Sequence, residues 1–171
     1  MGVWGAIIMS FFGAVFAAMT LYWQRHVTGL ALAFPFIVFA AIGLSAAYVI
    51  RMPGIGILPS TRTERAIMWS SIAEGVGLFV SSNIVINLHR PDLLMPAMAL
   101  VVGLHFLPIA FVAAFRPFYV LGTVLILAAI FGFIAPTPMG GGVAGIIAAL
   151  GLWIAATMAV RRDWHAKRAG A

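Results

Sequence analysis

Six stretches of about twenty residues, near 3–23, 28–50, 66–88, 93–115, 117–135 and 141–160, are almost unbroken runs of apolar side chains. A helix rises about 1.5 Å per residue and the hydrocarbon core of a bilayer is about 30 Å thick, so each run has the length to cross it. In hydrocarbon a helix satisfies its own backbone hydrogen bonds, whereas an open strand leaves them unpaired. The expected fold is therefore all-α. Charged residues are 8% and hydrophobic residues 64% of the 171, against about 25% charged in soluble proteins, so the chain cannot clothe itself in a water-facing shell. These numbers predict a polytopic membrane protein with six transmembrane helices in one compact bundle, a single domain over residues 1–171.

Several function classes fall away at once. Cysteine is absent, which excludes disulfides, thiolate nucleophiles and Cys-type zinc or iron–sulfur sites. The net charge of +6 comes from basic residues scattered through short segments between apolar runs. Membrane lipids, with their anionic headgroups, are thus the expected partners, and nucleic acid is not. The opening MGVWGAIIMS has no basic residues before its apolar stretch, so it reads as the first helix rather than a signal peptide. Ala6 stands where a myristoylation signal needs Ser or Thr.

Six crossings put both termini on one side of the membrane. With the N-terminus, the 51–65 loop, the turn near 116 and the C-terminal tail go Arg51, Arg62, Arg65, Arg116, Arg161, Arg162, Lys167 and Arg168. The other side holds only Arg25 and Arg90. An excess of Lys and Arg marks cytoplasmic loops, so both termini are expected in the cytoplasm. Trp4, Tyr22, Trp23, Tyr48, Trp69, Tyr119 and Trp164 lie near run ends, as interfacial aromatic residues do.

The breaks between runs carry their own signals. In RMPGIGILPSTRTER the Pro and Gly residues interrupt helix, after which Thr61 and Glu64 form a capping-box pattern. Arg62 and Arg65 beside that helix start have the chemistry to hold a lipid headgroup, although the positive-inside rule also explains them. The turn HRPD, residues 89–92, joins helices 3 and 4 as antiparallel neighbours, with Asp92 expected as an N-cap. Gly141 with Gly145, and Gly13 with Ala17, have the four-residue spacing that lets helices approach closely. Such seams serve packing inside the bundle more often than contacts between copies, and a homo-oligomer stays an open alternative. The two halves show no self-similarity of the kind that marks inverted-repeat transporters.

The polar residues inside the runs are the functional candidates. Helix 3 contains SSIAEGVGLFVSSNIVIN, whose Glu74 lies roughly 13 Å beyond a helix start at 66. A charged side chain that deep costs at least a few kcal/mol, so it normally faces protein or a cavity and finds a partner. At about 100° per residue Ser70, Glu74, Gly77 and Ser81 share one face, while Asn83 and Asn87 lie opposite. Two polar faces suggest a central place for helix 3. Glu74 lies fifteen residues before His89, and His105 fifteen beyond Arg90, so a tight hairpin brings carboxylate and imidazole to one depth. Pro108, three residues after His105, has no N–H for the Leu104 carbonyl and tends to bend the helix there. Whether Glu74 and His105 face each other depends on the rotation of helix 4, which the sequence leaves open.

The expected binding set is Glu74, His105, Ser70, Ser71, Ser81, Asn83 and Asn87, with Pro108, Gly77 and Gly103 shaping the site. A metal is not expected, since the runs hold one histidine and no HxxxH or HExxH spacing occurs; no cofactor is implied. The helix bearing Glu74, Gly75, Gly77 and Asn83, followed by GLHFLP (Gly103 to Pro108) and FRPFY (Phe115 to Tyr119), resembles an uncharacterised family of small bacterial multi-spanning integral membrane proteins. That resemblance covers roughly residues 70–122 and implies the bacterial inner membrane, with no activity attached. Three readings follow. The first is a protein that binds or transports a small molecule or proton at Glu74 and His105. The second is an intramembrane enzyme of isomerase or cyclase type, acting on a lipid or isoprenoid-like substrate with the pair as acid and base. The third is a structural or assembly subunit for which the pair is a clasp.

Overall fold

The computed structural model describes residues 2–56 and 60–169, and its secondary structure is helical, with no strand among the described residues. Helix α1 covers Val3–Arg25, and a 3-10 turn at Gly29–Ala33 leads into α2, Phe34–Arg51. Helix α3 covers Thr61–Asn87, and a second 3-10 turn, Pro91–Leu93, opens α4, Leu94–Ala113. Helices α5, Arg116–Ile134, and α6, Met139–Ala169, complete the chain. With their 3-10 turns, these give six segments long and apolar enough to cross a membrane. Ile57, Leu58 and Pro59 of the longest loop lie outside the described residues.

Two helix starts differ from expectation. Helix α3 begins at Thr61 rather than 66, and its cap is Ser60, whose Oγ accepts the N–H of Thr63 at 3.2 Å; Thr61 is already inside the helix. Either residue has the hydroxyl a cap requires, and the backbone chose the one directly after the Pro-bearing loop. Asp92 does not cap α4 either. It sits within the 3-10 turn and takes Arg90 Nη2 at 2.8 Å, so its carboxylate is committed to an ion pair. The hairpin itself forms as expected, with His89 in the left-handed region at φ 56 to reverse the chain.

The largest departure is α6, which continues nine residues past the apolar run, to Ala169. Tertiary contacts hold this extension. The buried carboxylate of Asp163 accepts the N–H of Val3 at 2.9 Å. Lys167 Nζ donates to the carbonyls of Ile50 and Met52, each at 3.0 Å. An anion thus meets the start of α1 and a cation the end of α2, the senses that helix dipoles favour. The Arg162 guanidinium stacks over Phe115, 4.3 Å from the ring centre. These ties gather the chain start, the end of α2, the α4–α5 turn and the end of α6 at the arginine-rich end of the bundle.

The core centres on α1, α4 and α6. A Cβ at Gly145 would collide with Thr20, and one at Gly141 would come within 2.6 Å of Gln24, so both glycines press α6 against α1. Gly13 accommodates Trp153, whose Nε1 donates to the Ser10 carbonyl at 3.1 Å. The small-residue seams are therefore internal to the bundle. Helix α3 is not central as expected: it packs chiefly on α4 and the turn before it, and much of its surface faces outward. Close packing of small residues drives association where no hydrophobic effect operates between helices, and the glycine-rich α1 and α6 claim the centre.

Candidate functional site

Glu74 and His105 face each other across the α3–α4 hairpin, with Glu74 Oε2 3.4 Å from His105 Nδ1. Because α3 starts at Thr61, Glu74 is thirteen residues into its 27, about 20 Å along at ~1.5 Å per residue. The carboxylate therefore lies midway along the helix, deeper than the roughly 13 Å expected from a start at 66. The rotation of α4 that the sequence left open is set by its other neighbours. Gly103, on the adjoining face of α4, lies against α5, where a Cβ would come 3.0 Å from the Gly122 carbonyl oxygen. With that face turned to α5, the imidazole points to α3. Gly77 brings α3 close, since a Cβ there would lie 2.9 Å from Val101 Cγ1.

Ser70 is the third member. Its hydroxyl donates to the His105 carbonyl at 2.8 Å, and Oγ lies 3.1 Å from Nδ1. An O–H spent on the carbonyl leaves Oγ as an acceptor, so Nδ1 carries the proton and donates it to Ser70, with the Glu74 carboxylate in ion-pair range beside it. Pro108 adds to this arrangement: it withholds an N–H from the carbonyl just before His105 and, with its ring, shapes the same wall. Among the described residues Nε2 of His105 and Oε1 of Glu74 have no hydrogen-bond partner, and neither is among the fully buried unpaired atoms. The His105 side chain is 5% exposed and that of Glu74 15%.

They adjoin a groove of about 550 Å³ lined by Ser70, Glu74 and His105 with Trp69, Ala73, Val101, Leu104 and Pro108 among its apolar walls. That size falls in the roughly 300–1,000 Å³ range of small-molecule sites.

The remaining candidates are dispersed. Ser71 is exposed on the flank of α3 and does not line the groove. Ser81 is half-buried and donates within its own helix to Leu78, at 3.3 Å. Asn83 also turns inward on its own helix, donating to the Phe79 carbonyl at 2.7 Å, and both it and Asn87 are exposed away from the groove. Arg62 and Arg65 are exposed in the first turn of α3. Asp163 was missed by sequence reasoning; a lone carboxylate in a basic tail looks like a solvated residue, and only its place near the end of an apolar run hinted otherwise.

Comparison with family models, with curated proteins and with solved structures finds no match for this chain, in keeping with a resemblance that reaches only an uncharacterised family.

Proposed function

We propose that this chain is a multi-pass protein of the bacterial inner membrane, with both termini in the cytoplasm, that binds or transports a small molecule or proton at Glu74, His105 and Ser70. The observation that carries this reading is the placement of the 3.4 Å carboxylate–imidazole pair on the wall of a groove rather than inside a sealed core. A clasp needs both groups satisfied and enclosed. Here each retains an unused polar atom, and 15% of the Glu74 side chain is exposed. The gathering of eight of ten basic residues at the end that holds both termini supports the cytoplasmic assignment.

Chemically, Nδ1–H beside a carboxylate gives a proton two neighbouring homes, and histidine is the side chain that changes charge nearest neutral pH. The same pair is suited to general acid and base work. The position of the groove on the outer surface of the bundle favours, as a second reading, an enzyme that isomerises or cyclises a lipid-soluble substrate.

Dicyclohexylcarbodiimide, which reaches carboxyl groups from the hydrocarbon, tests the site. We expect it to modify Glu74 in the folded protein, mapped by peptide mass, and Glu74→Gln to fold with an unchanged melting temperature. No labelling of Glu74 in folded protein, with Glu74→Gln and His105→Ala both unfolding early, would make the pair a structural clasp.

A further inference from the structure

We propose that the α3–α4 groove takes a neutral, membrane-dissolved molecule, with a carbonyl or hydroxyl head and an apolar body, which arrives sideways from the bilayer. This rests on Glu74 and His105 forming a binding site, and it adds the class of ligand and the route.

The route follows from the isolation of α3. Because α3 packs chiefly on α4, no helix among the described residues packs against the far side of the groove. Its rim residues Trp69 and Leu104 are 65% and 52% exposed on the outside of the bundle, on helices long and apolar enough to cross a membrane, so the opening faces the bilayer. A molecule already dissolved in the bilayer meets this opening directly. A water-soluble one would have to cross hydrocarbon first.

The chemistry follows from what lines the groove. Its polar side chains are Ser70, Glu74 and His105, held together by their own contacts, and Trp69, Ala73, Val101, Leu104 and Pro108 make the rest apolar. A ligand matched to this wall has one hydrogen-bonding end and an oily remainder. Among the described residues neither Lys nor Arg lines the groove. A phosphate or carboxylate head would therefore meet the Glu74 carboxylate with no counter-charge in a medium that screens little. The pairing of Glu74 with His105 leaves one carboxylate oxygen and Nε2 unused. A hydroxyl can donate to the oxygen or to Nε2 of the neutral ring, and a carbonyl can accept from Nε2–H when the ring, charged beside Glu74, carries protons on both nitrogens. A prenyl or long-chain alcohol and an alkyl quinone both have this form.

Protection of Glu74 from dicyclohexylcarbodiimide, in phosphatidylcholine nanodiscs, measures occupancy. Farnesol and a decyl-substituted benzoquinone should slow labelling saturably, by at least tenfold at the highest concentrations. Farnesyl phosphate and dodecyltrimethylammonium should need at least tenfold more. Ser70→Ala and His105→Ala should each raise the half-protecting concentration of farnesol about tenfold, and Asn83→Leu should leave it unchanged. Equal or better protection by the phosphate or the ammonium probe, or labelling that none of the probes slows, overturns the ligand class while leaving Glu74 a reachable site. Absence of labelling without any probe overturns the site itself, and the inference with it.

Discussion

Asp163, six residues before the end of the last described helix, accepts the backbone N–H of Val3 at the very start of the first, at 2.9 Å. The first N–H groups of a helix have no partner within it, and a buried one needs an acceptor from elsewhere. A carboxylate supplies the acceptor and the charge that the helix start favours. The contact joins the two ends of the chain.

Asp163→Ala removes both. The stranded N–H costs about 1–3 kcal/mol, so we expect a clear fall in the thermal unfolding midpoint in detergent, with Asp163→Asn falling less. An unchanged midpoint for Asp163→Ala would mean that the contact adds nothing to stability.

Lys167→Met leaves the carbonyls of Ile50 and Met52 without the ammonium that now binds them at 3.0 Å. The loss should be local. Hydrogen exchange should rise at the end of α2, near residues 49–53, while α4 and α5 keep their protection.

Glycine substitutions separate the packed seam from the open flank. Gly145→Leu drives a side chain into Thr20 at the α1–α6 contact, and overpacking of this kind typically costs 1–3 kcal/mol or more. Gly75, by contrast, has nothing within 4 Å of a built Cβ. Gly75→Ala should be neutral or slightly stabilising, since alanine favours helix by roughly 0.8–1 kcal/mol. Matched thermal melts of the two variants check both expectations together.

Ser70→Ala deprives the His105 carbonyl of its 2.8 Å donor and Nδ1 of one acceptor. A net loss of about 0.5–1.5 kcal/mol is expected. Ser71→Ala should cost nothing measurable, because Ser71 is exposed and lies off the groove. Equal destabilisation by the two would contradict the assigned rotation of α3.

Much of this architecture is written locally. Hydropathy over twenty residues marks a span because every residue of a crossing helix meets the same solvent, and HRPD marks a hairpin because a proline and short polar residues act on their own backbone. The depth match of Glu74 and His105 is legible for the same reason: it needs only a fixed rise and a short turn. The choice of Ser70 over its neighbour Ser71 was half legible, since periodicity placed Ser70 on the Glu74 face but did not say which face meets α4.

Taken alone, then, the sequence determined six apolar helices, a basic end, a tight α3–α4 hairpin and a carboxylate and an imidazole at one depth. Only the tertiary structure decided that α3 lies at the edge, that Asn83 and Asn87 face outward, that α4 turns His105 toward Glu74, and that Asp163 reaches Val3. Those outcomes depend on which helix surfaces fit most closely. Within a membrane that fit is set by small residues such as Gly13, Gly141 and Gly145 meeting particular partners far along the chain, and the pattern along a single helix does not contain it.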